Sequence, residues 1–325
     1  MALAKARSGW PARQTLVALG VAPRSYYRWL REEAERRAAS AAAAEAVPPP
    51  KPLPPYAATA AEREAVTAYA LAHPEVRHRE LAWRMVDEDV ACVSPSTVYR
   101  ILLEAQLVCP WRRRPKRRRE ECEKATRPDE RWGTGLMHLQ VAGRTYYYIA
   151  FLDEWSRCLV HHELLRSMDG ASVSLAAQRA IENWRREAGP AAAAPEIRSD
   201  HGSGYVSREF RETLAGAGLR HQKIKPHCPE ENGLVERSHR TIREAWEAAG
   251  EAEDFHAAER VLAKLVRWYN EERLHRALGY LRPIDVYRGK PEELQRERKR
   301  KLIAARQRRK EANLKLRQPK LPLGR

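Results

Sequence analysis

Nowhere in the 325 residues does an uninterrupted apolar run reach the length of about 18 that a membrane-spanning helix needs. Met1 to Gly20 also lacks the apolar centre of a signal peptide, so a soluble, cytoplasmic chain with no membrane partner is expected. Cysteine is scarce and scattered. Cys92, Cys109, Cys122, Cys158 and Cys228 are odd in number and contain no Cys-x-x-Cys, which argues for reduced thiols and against a disulfide framework or a zinc site. Negative charge is also short: 43 Asp and Glu stand against 60 Lys and Arg, leaving a net +17. A polyanionic partner is the first expectation.

What is present divides by composition. Residues 1–37 read as helix, turn, helix: Pro11 opens, Gly20 breaks, and a second helix starting near Ala22 carries Arg24, Tyr27 and Arg28. That is the shape of a helix-turn-helix whose second helix enters a major groove, with an amphipathic hairpin as the plainer account. Residues 38–60 are rich in Ala and Pro and too poor in large apolar groups to build a core, so they read as a linker. Residues 61–108 turn helical again, with helices at Glu62 to Ala72, Arg77 to Glu88 and Ser94 to Glu104. Ser94 serves as the last helix's cap, with Pro95 in its first turn. Within the basic linker 109–127, Arg112, Arg113, Arg114, Lys116, Arg117, Arg118 and Arg119 put seven positive charges into the nine residues from Trp111 to Arg119. Such density repels itself until it meets phosphates, where it adds affinity without sequence preference.

Residues 128–290 carry the alternation of an α/β domain. Trp132 to Val141, a turn at Ala142-Gly143, and Thr145 to Leu152 read as a hairpin, with a third strand at Cys158 to Leu165. A helix follows with an apolar stripe at Val173, Ala177, Ala180, Ile181 and Trp184. Strands with crossing helices imply a mixed sheet covered by helices. A short strand from Glu196 to Ser199 presents Asp200 at its end, and a helix over Glu231 to Ala248 carries Glu236 in its first turn. Two carboxylates on separate elements, with 35 residues between them, suit hard oxygen ligation of Mg2+ or Mn2+ at a phosphoryl-transfer site.

Asp200 within Ser-Asp-x-Gly, the 35-residue gap, and Glu231-Asn-x-x-x-Glu236 resemble the second and third acids of integrase-type DDE transposases. Trp268-Tyr-Asn-Glu-Glu-Arg273, His275, Ala277-Leu-Gly-Tyr280, Pro283 and Tyr287 are similar to the ending of the same family. The resemblance covers roughly residues 128–290. It implies a ribonuclease H-like integrase core with a mixed five-stranded sheet, preceded by all-α helix-turn-helix domains in which Ser96, Thr97 and Arg100 face DNA. Asn232 and Arg237 are then candidates for contacting DNA near the site, with His239 beside them. The implied partners are double-stranded DNA (terminal repeats and target) and further copies of the chain on that DNA, with nucleoid association in the cell.

One position departs from the family pattern. Gly135 stands where the first acid is expected, which implies loss of a ligand shared by two metal ions. Two functions follow: a transposase that binds element ends and cuts them, or a catalytically inactive DNA-binding relative serving as regulator, architectural subunit or disabled variant. If the hairpin turn centres near Gly143, positions summing to about 286 pair, setting Gly135 opposite Phe151 and Asp153 diagonally from Gly135 on the same face at roughly 7 Å. Asp153 would then be within reach of a metal, although its Asp-x-x-Ser-Arg setting favours a structural role. His138 and His201 are expected to be hydrogen-bonded or solvent-facing rather than ligands. Residues 291–325 form a charged tail with no core of its own to join, expected to bind nucleic acid or another subunit.

Overall fold

The computed structural model describes residues 11–45, 53–108, 124–189, 192–225, 229–250 and 252–317. The basic run Arg112 to Arg119 and Cys109, Cys122 and Cys228 lie outside them. The described chain divides into two compact units: residues up to Ala57 with those from Glu311 onward, and Ala58–Lys310. In the first, α1 (Ala12–Ala18) and α2 (Pro23–Glu45) are joined through Gly20, whose φ of +65° is a left-handed turn open to a residue without a Cβ. Thr15 and Leu16 are buried there.

The second unit opens with α3 (Ala60–Ala72), α4 (His78–Asp87) and α5 (Pro95–Glu104). Thr59 and Glu62 cap α3 reciprocally, and the Ser94 hydroxyl accepts the Thr97 N–H at 3.3 Å with Pro95 at the first helical position. Val66, Leu81, Met85, Val93, Val98 and Ile101 close a small core between these helices.

Then come β1 (Arg131–Val141), β2 (Arg144–Asp153), β3 (Leu159–Leu165), α6 (Gly170–Ala188), β4 (Glu196–Ser199), α7 (Ser203–Val206), α8 (Arg208–Gly216) and β5 (His221–Lys223). A 3-10 turn over Pro229–Asn232 leads into α9 (Gly233–Ala249), followed by α10 (Phe255–Glu271), α11 (Pro283–Tyr287) and α12 (Pro291–Arg317). The sheet runs β3-β2-β1-β4-β5, antiparallel across the first three strands and parallel from β1 through β4 to β5. This is the mixed, helix-covered five-stranded sheet expected of a ribonuclease H-like core. Both faces are buried. Met137, Leu139, Tyr148 and Leu152 pack under α9 and α10, and Trp132, Ile149 and Phe151 pack under α6, α7 and α8.

Two expectations are corrected. The hairpin turn is a two-residue loop with Ala142 at φ 47° and Gly143 at φ 74°, the geometry that matches the twist of the flanking strands. Val141 therefore pairs with Arg144, Gly135 with Ala150 and Trp132 with Asp153. A one-residue change of register turns a side chain to the other face. Asp153 accordingly points away from the Gly135 face and is fully buried, accepting hydrogen bonds from Asp129 N at 2.9 Å, Ser156 N at 2.7 Å and Ser156 Oγ at 2.5 Å. The tail also has something to join: Arg298 and Ala305 of α12 are buried within the second unit.

The family-like ending is architectural. Asn270 Oδ1 accepts the Leu159 N–H at 2.9 Å and its Nδ2 donates to Leu159 O at 3.0 Å, fixing the end of α10 to β3. Arg273 Nη1 donates to His275 Nε2 at 2.9 Å. Tyr287 Oη and Trp132 Nε1 both donate to Asp129 Oδ1, at 2.8 and 2.9 Å.

Burial holds the half-buried rings of His162 and His239 down to about 4 and that of His275, with Arg273 beside it, down to about 3. The unfolded chain, titrating near 6.5, takes up these protons first as pH falls. Their contribution to stability is whole above about pH 6.5 and lost progressively toward about pH 4. At about pH 5 each ring is expected to subtract about 1–2 kcal/mol, read as a lower urea midpoint than near pH 7.5.

Candidate functional site

β4 runs parallel to β1, with Trp132 level with Ile197 and Gly133 level with Arg198. The pairing ends at Gly133 and Arg198; two residues further on stand Gly135 in β1 and Asp200 just past the end of β4, in the positions this register would bring level. Asp200 is half-buried, and its Oδ1 accepts the Gly202 N–H at 2.8 Å, which holds the turn that follows.

The start of α9 lies over the same two glycines. A Cβ on Gly135 would meet Val235 Cγ1 at 3.0 Å, His239 Cε1 at 3.2 Å and Asn232 Nδ2 at 3.7 Å; one on Gly133 would meet Val235 Cγ2 at 2.6 Å. The absence of side chains at 133 and 135 is what lets the helix come this close. Asn232, Glu236 and His239 recur at i, i+4 and i+7 and so share one helix stripe, of which Asn232 and His239 lie over Gly135. Glu236 is exposed and makes no hydrogen bond to a described residue. Asn232 Oδ1 and His239 Nε2 are sealed from solvent without a hydrogen-bond partner among the described residues. Two buried polar atoms left unpaired above a glycine mark a place where a polar group would be satisfied.

A buried charge network supports this edge, and nothing in local spacing announces it. Glu154 faces Arg198 Nη1 at 3.2 Å and Arg131 Nη1 at 3.6 Å. Arg131 Nε reaches Glu196 at 3.1 Å, and Arg198 Nη2 donates to Gln222 Oε1 at 2.9 Å. β1, β4, β5 and the turn after β2 are thereby tied together below Asp200. On the other face Thr134 Oγ1 and Tyr205 Oη share a hydrogen bond at 3.2 Å.

The remaining expected residues fall in several places. Asn232 is buried over Gly133 rather than presented to a ligand, because the 3-10 turn before α9 folds it inward; Arg237 is exposed. His201 Nε2 donates to Ile224 O at 2.9 Å, and exposed His138 packs edge-on against Tyr147, so both have ordinary partners. Arg24, Tyr27 and Arg28 are exposed on α2. Ser96 and Arg100 are exposed on α5, while Thr97 is half-buried and engaged with Ser94. Among the described residues no three His, Cys, Asp or Glu side chains already stand together as a metal site, and no helix is long and apolar enough to cross a membrane.

Residues 125–229 match a family described as an integrase core domain, and residues 217–283 match a second family of that description. Together the two matches cover residues 125–283, which are thus similar to integrase cores. A retrovirus-related Pol polyprotein from transposon TNT 1-94 of Nicotiana tabacum is 36% identical over 110 residues, covering 34% of this chain and 8% of that protein. The transposase for insertion sequence element IS904 of Lactococcus lactis is 24% identical over 163 residues, covering 50% of this chain and 62% of the transposase. This chain thus spans less than two thirds of either relative. Among solved structures, the catalytic core domain of BIV integrase aligns at TM-score 0.38 and 17% identity over 49% of this chain and 93% of that one. Asp200 and Glu236 both lie inside the matched integrase-core residues.

Proposed function

We propose that this chain is a transposase-type recombination protein acting on double-stranded DNA, with its reacting centre where Asp200, Gly135 and the Asn232-Glu236-His239 stripe of α9 converge. The close seating of α9 over Gly133 and Gly135, on the strand that pairs with β4 just before Asp200, is the observation that supports the reading. The reaction class is attack of water, and then of a 3′ hydroxyl, on a phosphodiester phosphorus, without a covalent protein intermediate.

The donor set fits one hard divalent cation. Asp200 and Glu236 would hold Mg2+ or Mn2+, which supplies neutralisation of charge on the phosphodiester when bound. Gly135 offers no oxygen to a second ion, so cleavage is expected to be slow in the native chain. The chain's own groups orient the site: Gly202 N–H fixes one oxygen of Asp200, and the Glu154 network holds the end of β4 level with β1. DNA is gripped by the exposed cations and aromatic group of α2 (Arg24, Tyr27, Arg28), by Ser96 and Arg100 of α5, by Arg237, and by the run from Arg112 to Arg119. Pairing two DNA ends calls for at least a dimer on DNA, in a cytoplasmic, nucleoid-associated setting.

The test is a nicking assay on a labelled duplex carrying the ends of the surrounding element, in Mg2+ or Mn2+, beside Asp200→Asn and Glu236→Gln. Slow nicking that both substitutions abolish is the expected result. Tight DNA binding with no nicking in any metal would replace this reading by the inactive DNA-binding relative that Gly135 suggests, and absence of DNA binding would remove both.

A further inference from the structure

From Arg298 to Lys310 α12 holds eight Lys or Arg residues and no acid. Its buried stripe, Ala305 apart, is polar and engaged. Arg298 forms a two-pronged pair with Asp87 (Nε to Oδ1 2.7 Å, Nη2 to Oδ2 2.6 Å), lies over the Trp83 ring at 5.0 Å and donates to Tyr280 O at 2.8 Å. Further along the helix, Lys301 reaches Asp89 at 2.8 Å, and Arg309 pairs with Glu62 at 2.9 Å while donating to Cys92 O. The helix is thus held against α3, α4 and the turn before α5 by cations whose charge is already matched.

The face beside that seam is different. Arg300, Ala304 and Arg308 recur at i, i+4 and i+8 and all three are exposed. Arg300 is paired only with solvent-facing Glu297. Arg308 directly precedes Arg309, which donates to Cys92 O two residues before the Ser94 cap of α5. The small Ala304 between two guanidiniums leaves room for a backbone to approach.

We propose that the Arg300-Ala304-Arg308 face of α12 holds the sugar-phosphate backbone of a DNA duplex whose groove takes α5. This rests on the DNA reading above and extends it to a third element of the reading module. Charge complementarity selects the occupant: interfaces between proteins have cores depleted in charged side chains and enriched in aromatic groups, whereas this face offers guanidiniums around an alanine. Docking by Arg298 and Arg309 fixes these cations before DNA arrives, which removes an ordering cost from binding. Cations placed in this way position the duplex and carry no sequence information.

The experiment measures binding of the full chain to a labelled duplex of mixed sequence over a series of KCl concentrations. In Arg300→Gln/Arg308→Gln the slope of log K against log salt is expected to become shallower by about 1.8, at about 0.9 for each phosphate no longer neutralised. Ala304→Glu, which sets an acid in the same stripe, is expected to weaken binding as well. Lys299→Gln/Arg306→Gln, on the other side of the helix, removes the same charge and is expected to leave the slope unchanged. An unchanged slope in Arg300→Gln/Arg308→Gln, or an equal change in both double variants, overturns the proposal, the first outcome pointing to an acidic protein partner and the second to net charge alone. Failure of the native chain to bind the duplex would overturn the DNA reading itself, so the two failures are distinguishable.

Discussion

Gly135→Asp is expected to raise metal-dependent nicking of a DNA duplex by about 10²–10³-fold over the native chain, the scale at which one preorganised group at a reacting centre acts. The substitution would place a carboxylate on β1 under Asn232 and His239, at a position close to Asn232 Nδ2 and to His239, whose Nε2 has no described partner. His239 Nε2 carrying its proton, and Asn232 Nδ2, would both donate to it. Space opposes the change only modestly. The new Cβ meets Val235 Cγ1 at 3.0 Å, so that side chain must give by a few tenths of an ångström. A loss of about 1–2 kcal/mol in stability is expected from such overpacking, and Val235→Ala in the same chain should relieve it. Calorimetric titration with Mn2+ gives a readout apart from turnover, and tighter binding is expected in the double variant. A folded double variant that neither binds Mn2+ better than the native chain nor nicks DNA would show that position 135 does not face the metal.

Glu154→Ala is expected to reduce unfolding stability by about 3–5 kcal/mol, because it leaves two buried guanidiniums short of their carboxylate. Arg131 and Arg198 are 6% and 5% exposed, so neither can turn to water for compensation. Arg131 retains Glu196 and Arg198 retains Gln222, which keeps the loss from being larger. Glu154→Gln, preserving shape and one acceptor, should lose less. Urea unfolding measures both, and a loss below about 1 kcal/mol for Glu154→Ala would mean that the network is solvated rather than sealed.

Much of the architecture is legible in residue order because the local signals agree with the packing. Ser94-Pro95 caps α5, the stripe from Val173 to Trp184 faces the sheet, and the short strand before Asp200 ends where expected. The register of the hairpin is not legible. Ala142 occupies a left-handed conformation that alanine disfavours, so the residues suggest a turn centred on Gly143 alone and a pairing one residue out of step. That single step decides the face to which Asp153 belongs. The seating of α12 is hidden for another reason: its buried stripe is made of Arg298, Arg309 and Asn313, whose partners come from residues some two hundred positions away. Of the proposed centre, Asp200, Glu236 and the glycine at 135 stand out in the sequence. Glu154 and the unpaired atoms of Asn232 and His239 emerge only when β1, β4 and α9 are brought together.

The two hydrogen bonds between Asn270 and Leu159 also bear on how copies of this chain can meet. A carboxamide offering one acceptor and one donor is a surrogate peptide group, and here it occupies the outward N–H and C=O with which β3, the border strand of the sheet, would begin to template a neighbour. Lateral zipping through the β3 edge is blocked at its starting rung, so contacts between copies of the chain are left to other surfaces.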